Sequence, residues 1–169
     1  MAKNSGTAKI LLVIGGLLGL FSILAYFIEP TLGAWWQVDG PFLNSHMSAF
    51  GTYSTSDDIL DSILGFYGIL GPILFIVGSI CVLIPLFKDS KAYGFLGSFL
   101  MIGGVALFLI GLGSIEDYDS ILSGLSFLTG EEYIVFFGSL DPWSWSLWIG
   151  FFMAVIAIIL SIIGSVMYD

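Results

Sequence analysis

Catalysis needs an acid, a base, a nucleophile or a set of metal ligands converging on one point, and this sequence has few such groups. Its single histidine is His46. A lone imidazole lacks the further His, Cys or carboxylate ligands of a zinc site. No Ser, His and Asp follow the spacing of a nucleophilic motif. The single cysteine, Cys81, lies inside an apolar run, where a small buried side chain is its ordinary role. There is no phosphate-binding loop, haem-attachment sequence or histidine pair for a haem or quinol. The residues read as those of a protein that is not an enzyme and carries no cofactor.

Two acidic clusters, Asp57, Asp58, Asp61 and Glu116, Asp117, Asp119, offer hard oxygens suited to calcium. Neither follows the alternating ligand pattern of a calcium loop with its central glycine and distal glutamate, so weak divalent-cation binding is the most they imply. A solvated acidic surface is the plainer use. With 13 acidic residues against 4 lysines and a net charge of −9, the chain has no basic patch for nucleic acid.

The elements that must position these groups are set by hydropathy. Hydrophobic residues make up 57% of the chain and charged ones only 10%, against about 25% charged in a soluble domain. That is too little charge to coat a water-soluble surface. Four stretches, Ile10–Ile28, Ile63–Phe87, Ala92–Ile115 and Trp145–Met167, contain no Asp, Glu, Lys, Arg or His. Each exceeds the roughly 18 apolar residues that a membrane-crossing helix requires. Strands of a membrane barrel would alternate polar and apolar residues, and these do not. The first stretch has the basic start of a signal peptide, but its apolar run is too long and no small-x-small site precedes Glu29, so it is expected to remain as a span.

All four lysines, Lys3, Lys9, Lys88 and Lys91, flank the first span or join the second to the third. An excess of positive charge marks the cytoplasmic side, which places both termini there and two outer loops, 29–62 and 116–144, outside the cell. The five tryptophans, Trp35, Trp36, Trp143, Trp145 and Trp148, fall at the outer ends of spans, where an interfacial aromatic belt is expected.

Within the spans, small residues recur at helical spacing. Gly150, Ala154, Ala157, Ser161 and Gly164 form one series and Gly97, Gly104 and Gly111 another. Lipid gives no hydrophobic drive for helix association, so such seams let backbones approach closely, and their spacing suits left-handed packing. Ser79, Ser98 and Ser161 can satisfy their hydroxyls on their own helix. Pro72 should bend the second span and Pro85 should end it. The loops are too long for simple connectors. Ala34–Val38, Met47–Tyr53 and Tyr133–Phe137 read as strands, with Asp39-Gly40-Pro41 as a turn between the first two. Thr55–Asp58 reads as a helix start and Asp119–Leu128 as a short amphipathic helix. The expected fold is an all-α integral membrane protein: one domain, a left-handed four-helix transmembrane bundle under a small extracellular cap with about three short strands.

Four spans, cytoplasmic ends, a longer first outer loop with strands, and Trp35 and Trp36 soon after the first span give a chain that resembles the claudin-like tetraspan superfamily. The paired cysteines of that family's first outer loop have no counterpart here. The resemblance implies a non-catalytic protein that associates with itself or with partners through its outer loops. Large aromatic residues are the usual interface anchors, which nominates Trp35, Trp36, Phe136 and Phe137. The functional expectation is a structural or interaction scaffold in the cell membrane, contacting lipid and either copies of itself or other membrane subunits. The alternatives are an accessory subunit of a larger membrane complex and an oligomeric channel or transporter. The last lacks the ionisable groups within spans that usually mark a pathway.

Overall fold

A computed structural model describes residues 5–41, 43–54, 64–88, 90–115 and 134–168. Four long helices dominate it: α1 (Ser5–Leu24), α3 (Gly65–Leu83), α4 (Lys91–Gly113) and α5 (Ile149–Met167). A short helix, α2 (Pro30–Gly33), follows α1 and begins on a proline, whose missing N–H costs nothing at a first helical turn. Five strands complete the described chain: β1 (Trp36–Gly40), β2 (Leu43–Met47), β3 (Tyr53–Ser54), β4 (Phe137–Leu140) and β5 (Trp143–Leu147).

All four long helices are long and apolar enough to cross a membrane. They close into a ring in which α3 packs most intimately on α4 and α1 on α5, with α1 also against α3 and α4 against α5. Their inner faces are small. On α5 the buried positions include Gly150, Ala154, Ala157, Ser161 and Gly164, and on α4 they include Gly97, Gly104 and Gly111. The backbones meet there: a Cβ added at Gly97 would lie 2.5 Å from the carbonyl oxygen of Gly78 on α3. Gly104 faces Gly71 and Phe75, Gly111 faces Tyr67, and Gly164 faces Ala8 and Leu12 of α1. The outer faces are large and apolar. On α5, Phe152, Ile156, Ile159, Ile163 and Val166 are exposed, and α1 presents Ile10, Ile14, Leu17, Phe21 and Leu24. A bundle folded in water carries polar residues on such faces.

Buried hydroxyls are satisfied locally. Ser79, Ser98, Ser161 and Ser165 each donate to the carbonyl four residues earlier, and Ser22 donates to Gly19. Pro72 stands inside α3, on the buried face beside Gly71, while Pro85 sits in the 3-10 turn Ile84–Leu86 that closes that helix. The Tyr168 hydroxyl, beyond α5, donates to the Pro85 carbonyl and ties the two helix ends together.

The sheet is larger than the expected cap and differently bounded. Its order is β3-β2-β1-β5-β4, antiparallel throughout. The strand expected at Ala34–Val38 begins at Trp36 and extends to Gly40. The strand expected at Met47–Tyr53 is instead two strands on either side of a turn. Ser48 causes that break: its Oγ accepts the N–H of Phe50 and pairs with the Thr52 hydroxyl at 2.7 Å, and Gly51 takes a φ of +74°. Only a residue without a Cβ does this readily. Of the expected Tyr133–Phe137 strand, Tyr133 lies outside the described residues, Val135 and Phe136 form a turn and Phe137 begins β4, while Trp145–Leu147 belong to β5 rather than to the last helix, which starts at Ile149. Thr55–Asp58, Asp119–Leu128 and both acidic clusters lie outside the described residues.

Candidate functional site

The segment that follows α1 and the segment that precedes α5 meet in one sheet at one end of the bundle. Strand β1, from the segment after α1, pairs with β5, from the segment before α5, so hydrogen bonds join what the sequence separates. Alternation along each strand then sorts side chains between two faces. Trp36, Val38, Ser45, Met47, Trp145 and Leu147 share the inner face, in which Trp36 pairs across to both Met47 and Leu147. The opposite face carries a row in register from Phe137 through Ser146 and Gln37 to His46. Beside it run Ser139, Ser144, Asp39 and Asn44. This outer face is polar, with Phe137 as its exposed aromatic group.

Tryptophans fasten the sheet to the helices. Trp35 is bonded into the backbone on both sides: its N–H donates to the Met47 carbonyl and its own carbonyl accepts from Trp148. Its ring drops into the bundle and meets Phe75 of α3, Phe108 of α4 and Phe151 of α5 edge-on, at centroid distances of 5.4, 5.0 and 5.9 Å. Its Nε1 donates to the Ser22 carbonyl of α1 at 3.0 Å. One side chain therefore touches all four long helices. Trp36 Nε1 donates to the Val135 carbonyl and Trp148 Nε1 to that of Thr31, each reaching between the segment after α1 and the segment before α5.

These positions correct the expected aromatic belt. Trp35 and Trp36 are 1% exposed and Trp145 is 8% exposed, so they fill the interior, and Trp35 and Trp36 are not surface anchors in this conformation. Adjacent tryptophans on extended chain point in opposite directions, and here both directions lead into packed layers. Phe136 is half-buried and packs on the core, whereas Phe137 is 47% exposed. Of the four nominated aromatics, Phe137 alone is exposed. Sequence reasoning passed over Tyr26, whose hydroxyl lies 3.0 Å from the carbonyl oxygens of both His46 and Thr52, which share its one proton, and so pins the second turn of the sheet to the end of α1. Its only signal was a tyrosine at the end of an apolar run.

His46 is half-buried on the outer face. Burial pushes its imidazole below the ordinary histidine range, partly offset by the carboxylates of Asp39 and Glu29. Among the described residues no three His, Cys, Asp or Glu side chains gather as a metal site would need, and no buried side-chain nitrogen or oxygen lacks a hydrogen-bond partner. The arrangement is suited to holding a polar sheet face rigidly above an apolar bundle. No family model matches the sequence, and no curated protein is significantly similar to it.

Proposed function

We propose that this protein is a membrane-spanning scaffold that presents its sheet outside the cell and associates with further chains through that sheet and through its helix faces. The observation that carries the reading is the fusion of both outer segments into one sheet, locked to all four helices by Trp35. A rigid, pre-ordered surface loses little conformational freedom when it binds, which is what an interaction platform requires. The large apolar residues on the outside of every helix suit contact with lipid tails. The lysines at the opposite end support cytoplasmic termini. The resemblance to claudin-like tetraspans belongs to the same proposal: strands from two outer segments over four spans fit that plan, although the paired cysteines are absent.

The test is assembly in a mild detergent. The unmodified chain should run as a complex larger than one copy, and Phe137→Ser should shift it toward the monomer without altering its helical content. Phe137 is chosen because it is exposed and its loss leaves the interior untouched. A complex made only of this chain fits the scaffold; stoichiometric foreign subunits would make it an accessory subunit instead. A monomer in both forms would overturn the reading.

A further inference from the structure

Charge is divided along the axis of the bundle. Lys9 lies in the first turns of α1 and Lys88 and Lys91 bracket the turn between α3 and α4, whereas the described acidic residues, Glu29, Asp39 and Asp141, lie in the segments at the sheet end. The lysine end has a definite structure. Lys9 Nζ lies 5.8 Å from the centre of the Tyr168 ring, and Lys88 Nζ lies 5.6 Å from that of Tyr93. Lys88 and Lys91 are exposed on either side of the turn. Immediately before them, Phe87 is 90% exposed, more than any other large apolar residue described. In water that ring would forgo the gain from burying its apolar area. At a bilayer boundary the same ring can lie against the acyl chains while the neighbouring lysine stems carry their ammonium groups outward.

We infer that the lysine end is a recognition surface for a leaflet rich in anionic phospholipid, with Lys88 and Lys91 supplying the charge that selects it. The inference rests on the membrane-spanning reading above and adds the lipid class. Charge complementarity carries it: the cations of an otherwise strongly acidic chain are gathered where the headgroups would lie. A juxtamembrane lysine near an anionic surface favours binding by about fivefold, from about 1 kcal/mol each.

The experiment reconstitutes the full chain into phosphatidylcholine vesicles and compares spin-labelled phosphatidylglycerol with spin-labelled phosphatidylcholine at the protein boundary. Flotation first establishes insertion. Phosphatidylglycerol should be preferred several-fold at low salt. The preference should fall toward unity in the Lys88→Gln/Lys91→Gln double variant. It should fall likewise for the unmodified chain in about 1 M salt, where the screening length is only about 3 Å, so the salt series decides the matter even if the variant folds poorly. Equal association of the two lipids, or a preference that survives high salt, would overturn the inference and leave the membrane reading standing. A chain that fails to float with the vesicles would overturn both.

Discussion

Trp35 occupies the point where sheet and bundle exchange contacts, and the cost of removing it should show how far the two depend on each other. Its indole is buried, edge-on to three phenylalanines and hydrogen-bonded to α1. Edge-to-face pairs of this kind contribute about 0.5–1.5 kcal/mol beyond their buried area. Trp35→Ala would leave a cavity among helices held by close contact and cannot be refilled from solvent. We expect a loss of about 3–5 kcal/mol, measured by unfolding in a fixed detergent mixture. Trp148→Ala is the control. Its indole makes a single rim hydrogen bond to Thr31, so its loss should be nearer the roughly 1 kcal/mol net worth of one such bond. Equal losses would mean that the sheet, and not the ring in the bundle, carries the stability.

At the scale of the element, α3 and α4 are joined by backbones that approach too closely for side chains. A methyl group at Gly97 would meet the Gly78 carbonyl oxygen at 2.5 Å and the Val82 amide nitrogen at 2.7 Å. Both are backbone atoms and cannot swing aside. Gly103, one and two-thirds turns further along, has only Leu74 Cδ1 at 4.0 Å. Gly97→Ala should therefore destabilise by about 1–3 kcal/mol, the usual cost of overpacking. Gly103→Ala should be neutral or stabilise by up to about 1 kcal/mol, because alanine is the better helix former. Thermal unfolding of the two variants in one detergent checks the difference. A reversed order would place the wrong face of α4 against α3.

At the scale of the whole molecule, the proposed orientation places the sheet outside the cell and the lysine end inside. In a Cys81→Ser background, a cysteine at Ser139 lies on the exposed sheet face and one at Ser90 beside the lysine turn. An impermeant thiol reagent should label the first in intact cells and reach the second only after the membrane is opened. Labelling at Ser90 from outside would invert the topology. The same orientation puts almost all of the acidic charge on the outer side, where repulsion keeps a small polar sheet soluble and limits its contacts to partners that tolerate a negative field.

The apolar blocks alone determined the four helices, because a run of about 18 or more residues without charge has no stable use except in or across an apolar phase. Spacing also marked their inner faces: Gly97, Gly104, Gly111, Gly150, Ala154, Ala157, Ser161 and Gly164 are buried where a helical period of small residues puts them. The sheet was legible only in part. Tryptophans and alternation announced a strand near Trp36, whereas the strand at Trp143–Leu147 was read as the start of the last span, and the limits of the sheet depended on Ser48 and Gly51 forming a turn and on β1 finding β5 more than a hundred residues away. Strand pairing is a choice among distant partners, which local composition does not encode. The fate of the tryptophans was likewise settled in three dimensions. A large amphipathic ring satisfies a lipid boundary and a packed interior equally well, and only the presence of Phe75, Phe108, Phe151 and the Ser22 carbonyl around one point drew Trp35 inward.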